Sequence, residues 1–182
     1  PGETILKAAQ RHGVEIPHLC YSDGLRPDGN CRACVVEIAG ERTLAPSCCR
    51  APTEGMKVQA ASPRARKSQE MVVEMLLSDM PDTGYRWNDG GINTPELIAA
   101  SAYPSSASGQ FKSKTPETVG QHGELSEWAD RLGVSVRPAL QALRREQPAP
   151  DLSHPAMAVN LDACIQCNRC VRACREEQVN DV

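Results

Sequence analysis

Residues 1–60 combine one helical and one strand-like pattern of hydrophobic positions. Apolar residues at helical spacing predict a short amphipathic helix from Ile5 to His12, with Thr4 as its N-cap and a glycine that ends it. Farther along, Cys34–Ala39 and Arg42–Ala45 flank a Gly-Glu turn, which predicts a β-hairpin. The pattern therefore predicts a small α+β unit in this part of the chain.

The pattern of residues 61–84 is helical. It predicts a helix that begins at Ser62-Pro63 and runs to about Ser78, since Pro81 prevents its continuation. The apolar positions that we expect in its core-facing stripe are Val72, Met75, Leu76 and Met80.

Three segments make up the rest of the chain. Residues 85–122 are rich in Gly, Pro and Ser and predict a loop-rich surface insertion or linker, because this composition buries little. Residues 123–150 predict two short helices, Glu124–Leu132 and Pro138–Glu146. Residues 151–182 contain a dense run of cysteines.

Composition and charge exclude several classes of protein. The chain has 182 residues, 40% of them hydrophobic and 24% charged, and its 20 basic and 23 acidic side chains give a net charge of −3. Because the basic residues are not clustered, we expect neither a nucleic-acid surface nor a polybasic membrane anchor. The apolar stretches are far shorter than the roughly 20 residues of a membrane-spanning helix.

Cysteine is the residue type that points to chemistry. All nine cysteines lie in two parts of the chain, with none between residues 50 and 163, and eight of them, without Cys49, form two groups of candidate ligands. The first cysteine group is Cys20, Cys31, Cys34 and Cys48. The second cysteine group is Cys164, Cys167, Cys170 and Cys174. Clustered cysteines at short spacing, in a chain without an export signal, favour metal binding over disulfide bonds.

The spacing of the first group favours a [2Fe–2S] cluster. Four thiolates around two irons make an anionic centre, which needs hydrogen-bond donors and few acidic neighbours. Gly24 and Gly29 allow main-chain N–H groups to come close to the sulfurs, and Arg32 is a candidate counter-charge. Structural zinc is the alternative, because a Cys-x2-Cys pair also suits that metal.

The second group has the Cys-x2-Cys-x2-Cys-x3-Cys spacing of bacterial ferredoxins, which bind [4Fe–4S] clusters. In two-cluster ferredoxins the first three cysteines bind one cluster and the fourth binds the other. A second copy of the motif does not follow within these 182 residues. Cys174 therefore either binds a cluster completed by another segment or closes a single cluster.

Several other residues have both a structural and a functional interpretation. We expect Cys49 to be a buried spectator beside Cys48, and His18 and His154 to be structural rather than bound to sulfur or iron. Three arginines are interpreted as a solvated helix face, with tuning of a cluster as the alternative: Arg169, Arg172 and Arg175. The sequence contains no local motif of an autonomous catalytic site.

Both ends of the chain resemble known iron–sulfur subunits. The opening Pro1-Gly-Glu-Thr-Ile-Leu, the first cysteine group, its Cys31-Arg-Ala-Cys34 core and Gly55-Met56 resemble the [2Fe–2S] domain of the large iron–sulfur subunit of respiratory complex I. The segment from Ser153 to Asp181, around Cys-Ile-Gln-Cys-Asn-Arg-Cys-Val-Arg-Ala-Cys, resembles the alpha subunit of cytoplasmic NAD-dependent formate dehydrogenases that use molybdenum or tungsten.

This resemblance implies a fold and a function. The fold is α+β: a ferredoxin-like β-grasp [2Fe–2S] domain without its first hairpin, a short helical linker region, and the start of a bacterial-type [4Fe–4S] ferredoxin domain. The implied function is electron relay between formate oxidation and a partner subunit that binds flavin and NAD. The full enzyme would carry bis-molybdopterin guanine dinucleotide with Mo or W, and FMN on the partner subunit, in the cytoplasm.

Two alternatives to a formate dehydrogenase remain. One is the iron–sulfur subunit of an NAD-linked hydrogenase or of complex I, although the residues around Cys164 favour formate dehydrogenase. The other is a zinc-bound structural module. Relatives often carry a further His-x3-Cys-x2-Cys-x5-Cys motif, which residues 50–163 lack because they contain no cysteine.

Overall fold

The computed structural model describes residues 2–80, 123–146, 148, 151–155, 157–159, 161 and 164–178. These ranges include both cysteine groups and the helices that lie between them in sequence. The predicted insertion at 85–122 lies outside the described residues.

A helix and a small sheet form the N-terminal unit. Helix α1 spans Ile5–Arg11, and the Thr4 hydroxyl accepts a hydrogen bond from the Lys7 N–H at 3.3 Å, as expected of an N-cap. Strand β1, Val35–Ile38, lies between β2, Ala45–Pro46, and β3, Val58–Gln59, and pairs antiparallel with both. The α+β prediction for this part is confirmed.

The predicted hairpin is correct in its pairing but not in its extent. Val35 lies opposite Pro46 and Val36 opposite Ala45, so the return strand begins only at Ala45 and not at Arg42. Strand β3 pairs with the other edge of β1 and has no counterpart in the sequence prediction. Two residues are too few to show the alternation that predicts a strand.

The core between α1 and the sheet includes cysteines. Its buried residues are Ile5, Leu6, Ile16, Tyr21, Cys34, Val36, Ile38, Ala45 and Cys48. The folding of this unit therefore buries two members of the first cysteine group.

Helix α2, Pro63–Ser78, has the predicted bounds. Ser62 caps it, since its hydroxyl accepts a hydrogen bond from the Ala65 N–H at 3.2 Å. The buried Gln69 amide donates to the carbonyls of Val35 and Ala60 at 2.8 and 3.0 Å, which fixes the helix to the sheet. Met75 is 59% exposed, so its predicted core position is wrong.

The face of α2 that packs on the core is offset from the predicted one. Ala65, Gln69 and Val73 follow one another at four-residue spacing and are all buried, whereas Met71 and Met75 are exposed. A polar residue in that row, Gln69, made the true stripe hard to recognise from hydrophobicity alone.

Helix α3, Glu124–Leu132, packs on α2 and ends at Gly133 in the left-handed conformation, as predicted. This contact forms a second core, with buried residues Leu19, Ala33, Val73, Met80, Leu125 and Ala129. Leu19 and Ala33 directly precede Cys20 and Cys34 in sequence. This core therefore joins α2 and α3 to the segments that carry these cysteines.

Helix α4 covers only Pro138–Gln141, so the predicted length to Glu146 is wrong. Leu143 is 76% exposed and has no apolar surface to favour a further turn. The Arg145 N–H instead donates to the Asp79 carboxylate at 3.3 Å. The side chain of Asp79, just after α2, thus replaces a helical carbonyl as the acceptor.

The last described part is an antiparallel ribbon followed by a short helix. Strand β4, Asp151–His154, pairs with β5, Met157–Val159. Helix α5, Arg169–Arg172, continues into a single π-helical turn, Ala173–Glu177. The assignment of this part to a bacterial-type ferredoxin domain stays a prediction. None of the helices in the described ranges combines the length and the apolarity needed to cross a membrane.

Candidate metal centre

The first cysteine group is brought together by the ends of the sheet and the irregular loop 21–30. Cys20 precedes that loop, Cys31 follows it, Cys34 leads into β1, and Cys48 follows β2. Cys34 and Cys48 are fully buried, Cys20 is 1% exposed, and Cys31 is half-buried. Burial of this kind keeps water away from the thiols.

Cys20 and Cys31 form one close pair. The Cys20 N–H donates to the Cys31 sulfur and the Cys31 N–H donates to the Cys20 sulfur, each at 3.4 Å. These reciprocal bonds give each sulfur a main-chain donor, which is the environment that stabilises a thiolate.

Cys34 and Cys48 form the other pair. Their segments are joined through Ser47, whose hydroxyl donates to the Cys34 carbonyl at 2.7 Å and whose N–H donates to the same oxygen at 3.0 Å. The hydrogen bond from the Cys48 thiol lowers the pKa of Cys34 to about 7. The two thiols are therefore held side by side by the strand pairing of β1 and β2.

The thiols also interact across the two pairs. Hydrogen bonds from Cys31 and then Cys48 lower the pKa of the Cys20 thiol, while the pKa values of both donor thiols are raised. One thiolate in each pair is thus stabilised by a neighbouring S–H. These mutual interactions show that the four thiols lie close together, as the ligands of one metal centre must.

The thiols of the first group lie as two adjacent pairs. Four thiolates are the number of ligands that a [2Fe–2S] cluster takes. In the ranges that the structure describes, no three His, Cys, Asp or Glu side chains are already grouped as the ligands of one metal ion.

Of the residues around the first group, Cys49 differs from its predicted burial. Cys49 is exposed, not buried, with its sulfur 3.6 Å from that of Cys48. Arg32 is exposed and has a positive φ of 59°. His18 is structural as predicted: its Nδ1 lies 2.8 Å from the Ile16 carbonyl, and its ring is 5.8 Å from that of Trp128.

The second cysteine group lies on a loop and the helix that follows it. Cys164 and Cys167 are half-buried on the loop, Cys170 is exposed on α5, and Cys174 is half-buried on the π-helical turn. The Gln166 N–H donates to the Cys164 sulfur at 3.4 Å. Within the described segment, no hydrogen bond joins two thiols of this group.

The segment of the second group packs directly on loop 21–30. The Asn30 amide donates to the Gln166 carbonyl at 2.8 Å, and the Glu176 carboxylate accepts from the Arg26 N–H at 3.0 Å. The structure therefore brings the two cysteine groups, more than 100 residues apart in sequence, to one junction.

Two arginines of the second segment lie in this junction. Arg172 is 7% exposed, and Arg169 is half-buried. The expectation that they form a solvated helix face is wrong. No signal in the sequence distinguishes them from Arg175, which follows at the same three-residue spacing and is exposed.

Comparison with known proteins relates this arrangement to an iron–sulfur family. Residues 1–63 match the family described as "2Fe-2S iron-sulfur cluster binding domain". The chain contains a domain of the [2Fe–2S] type. This match covers the first cysteine group and ends at the first residue of α2.

The chain as a whole is related to subunits of NAD-linked oxidoreductases. It is 31% identical to the 78 kDa subunit of the mitochondrial NADH-ubiquinone oxidoreductase of Candida albicans over 94% of its length and 20% of that protein. It is 31% identical to the NADP-reducing hydrogenase subunit HndD of Solidesulfovibrio fructosivorans over 97% of its length and 26% of that protein. The chain therefore spans about a fifth to a quarter of the length of such relatives.

A solved structure has the same architecture. The crystal structure of an NAD+-reducing [NiFe]-hydrogenase in the H2-reduced state contains a chain that is 26% identical, with a TM-score of 0.63. The match covers 97% of the present chain and 61% of the other. The similarity thus extends through both cysteine-bearing parts.

Proposed function

We propose that this chain is an iron–sulfur electron-transfer module of an NAD-linked oxidoreductase. In this proposal Cys20, Cys31, Cys34 and Cys48 bind one [2Fe–2S] cluster. The observation that carries it is the grouping of these four thiols as two adjacent pairs within the region that matches the [2Fe–2S] domain family. The cluster, when bound, supplies one-electron oxidation and reduction.

The residues of the chain have distinct tasks in this role. The four thiolates of Cys20, Cys31, Cys34 and Cys48 would hold the cluster. The N–H groups of Cys20 and Cys31 donate to the sulfurs and reduce the cost of added negative charge. The core between α1 and the sheet excludes water from Cys34 and Cys48.

We further propose that the second cysteine group binds a [4Fe–4S] cluster. Cys164, Cys167 and Cys170 would supply three of its ligands, and Cys174 would ligate a neighbouring cluster or close the same one. The spacing of the motif supports this proposal. The contact between its segment and loop 21–30 supports transfer of electrons between the two centres.

For the whole protein we propose a formate dehydrogenase, in which electrons pass between a Mo or W site that oxidises formate to CO2 and a flavin and NAD partner subunit in the cytoplasm. The residues around Cys164 support this choice. A second candidate is an iron–sulfur subunit of an NAD-linked hydrogenase or of complex I. The relatedness to NADH-ubiquinone oxidoreductase and hydrogenase subunits favours that candidate.

Metal and sulfide analysis of the full chain tests the module itself. We expect iron with acid-labile sulfide and a rhombic EPR signal after reduction, because two irons bridged by sulfide share one added electron. Zinc without sulfide would contradict the proposal and favour the structural-module alternative.

Substrate assays on the assembled enzyme test the finer assignment. Formate-dependent reduction of NAD would support the formate dehydrogenase. Hydrogen-dependent reduction of NAD, or quinone-dependent oxidation of NADH without formate activity, would instead support the second candidate.

A further inference from the structure

A single side chain, Arg172, makes two contacts between the two cysteine-bearing segments. It lies between Cys170 and Cys174 in sequence, and its guanidinium donates to the main-chain carbonyls of Cys20 and Arg26. The two N–H donors of the Arg172 guanidinium thus hold both Cys20, a proposed cluster ligand, and loop 21–30, which follows it. The side chain is 93% buried, since only 7% is exposed.

Arg169, one turn earlier, makes a parallel contact. Its Nη2 donates to the Tyr21 carbonyl at 2.9 Å and forms an ion pair with Glu124 at 2.8 Å. Arg169 thus contacts the main chain of loop 21–30 directly after Cys20, while it adjoins Cys170 in sequence.

Both arginines retain a buried donor that lacks an acceptor. The Nε atoms of Arg169 and Arg172 are inaccessible to solvent and have no hydrogen-bond partner in the described part of the chain. A buried donor without a partner is costly and points to an acceptor that the protein itself does not provide. Anionic sulfur at the adjacent cysteine groups is an acceptor of the right charge.

We propose that Arg169 and Arg172 form a cationic bridge between the two metal centres, which holds loop 21–30 against the second centre and raises the reduction potential of the first. This inference rests on the proposed iron–sulfur function. The two side chains are positioning residues, since they act on the centres through charge and through the main chain of the first group.

The direction of the shift in the reduction potential of the first centre follows from charge. Reduction adds one negative charge to a centre that is already anionic, and a buried positive charge nearby stabilises the reduced form. Glu124 partly neutralises Arg169, whereas the contacts shown for Arg172 are with uncharged carbonyls. We therefore expect Arg172 to have the larger effect on the reduction potential of the first centre.

Redox titration followed by EPR on the iron-loaded full chain tests the bridge. We expect Arg172→Gln to decrease the ratio of reduced to oxidised first centre about tenfold at a fixed ambient potential, which for one electron is a shift of about 59 mV to more negative values. Arg169→Gln should shift it in the same direction by less. Arg169→Lys should retain most of the original potential, because it keeps the charge.

Arg175→Gln is the matched control. It removes the same charge from the same segment, but its side chain is exposed. We expect this variant to keep the original potential. An equal shift in Arg175→Gln would mean that only net charge matters, and the bridge would have to be abandoned.

Iron content separates the possible failures. If Arg172→Gln loses iron while Arg172→Lys keeps it, the result supports the role of Arg172 in holding loop 21–30. The potential of Arg169→Gln then tests the effect of charge on the first centre. Unchanged potentials in fully loaded Arg169→Gln and Arg172→Gln would refute the inference and leave the proposed function intact. Absence of iron and sulfide from the unmodified chain would refute the proposed function itself.

Discussion

Loop 21–30 shows how single residues shape the first cysteine group. Gly24 and Gly29 both have positive φ values, 88° and 63°, a region that side chains with a Cβ atom rarely adopt. They differ in their surroundings. A Cβ on Gly29 would lie 2.9 Å from the Cys49 sulfur, whereas a Cβ on Gly24 would meet no atom within 4 Å.

This difference predicts unequal costs for the same substitution. We expect Gly24→Ala to lower the free energy of unfolding by about 1 kcal/mol, the cost of a left-handed residue. Gly29→Ala should cost more, because the Cys49 sulfur must also move. Urea unfolding of both variants measures the difference. Adding Cys49→Ala to Gly29→Ala should recover part of the lost stability. Equal urea midpoints for Gly24→Ala and Gly29→Ala would show that the Cys49 contact does not affect stability.

The neighbouring pair Cys48 and Cys49 allows a direct test of the proposed ligand set. Cys48 is fully buried beside Cys34, whereas Cys49 is exposed. We therefore expect Cys48→Ser to abolish or strongly alter the EPR signal of the reduced [2Fe–2S] centre, and Cys49→Ser to leave it nearly intact. The reverse pattern would exchange the two assignments.

Helix α2 is the element that connects the parts of the molecule. Gln69 fixes it to the sheet, and Val73 and Met80 contribute to the core that it shares with α3. Near its C-terminal end, the Glu74 carboxylate accepts from the Arg137 N–H at 3.0 Å and from the Arg137 Nε–H at 2.7 Å. That contact anchors the start of α4.

The Glu74 contact predicts a pH dependence of stability. The hydrogen bonds from Arg137 lower the pKa of Glu74 below its ordinary value of 4.5, so folding favours the ionised form. The resulting stabilisation is complete above that ordinary value and is lost as the pH falls through the lower, folded-state pKa. We expect Glu74→Gln to unfold at lower urea concentration than the unmodified chain at neutral pH, with a difference that shrinks in acid.

Glu70→Gln is the control for this prediction. Glu70 lies one turn earlier on α2 and pairs with Arg66 at 3.2 Å on the exposed surface. Such surface pairs contribute little, so this variant should unfold close to the unmodified chain at every pH. A difference between Glu74→Gln and the unmodified chain that does not change with pH would contradict the argument.

Across the whole molecule, the main result of folding is the junction of the two cysteine groups. Loop 21–30 contacts the segment 164–178 through main-chain and side-chain hydrogen bonds from both sides. Since electron transfer requires centres close in space, this junction is the feature that connects the fold to the proposed relay.

The second centre yields a prediction about iron content. If Cys174 ligates a different cluster, the 182-residue chain supplies only three thiolates to its [4Fe–4S] site and should hold that cluster poorly. We then expect about two stably bound irons per chain, unchanged by Cys174→Ser. About six irons in the unmodified chain, with about four lost in Cys174→Ser, would show instead that Cys174 closes a single cluster.

Local signals account for what the amino-acid sequence determines on its own. The bounds of α2 and α3 follow from Ser62, Pro63 and Gly133, because caps and helix-ending glycines act within one turn. The spacing of the two cysteine groups likewise predicts iron–sulfur chemistry without reference to the fold. The motif match over residues 1–63 agrees with that interpretation.

Contacts between distant segments decide the rest. Strand β3 forms because it pairs with an edge of β1. Helix α4 ends early because Asp79 accepts a hydrogen bond from the Arg145 N–H. Met75 is exposed because Gln69 and Val73 occupy the inner face of α2. Arg169 and Arg172 have ordinary surface sequence patterns, yet Arg172 is buried and Arg169 half-buried because loop 21–30 packs on them. Such positions depend on which segments meet, a property that short-range periodicity does not encode.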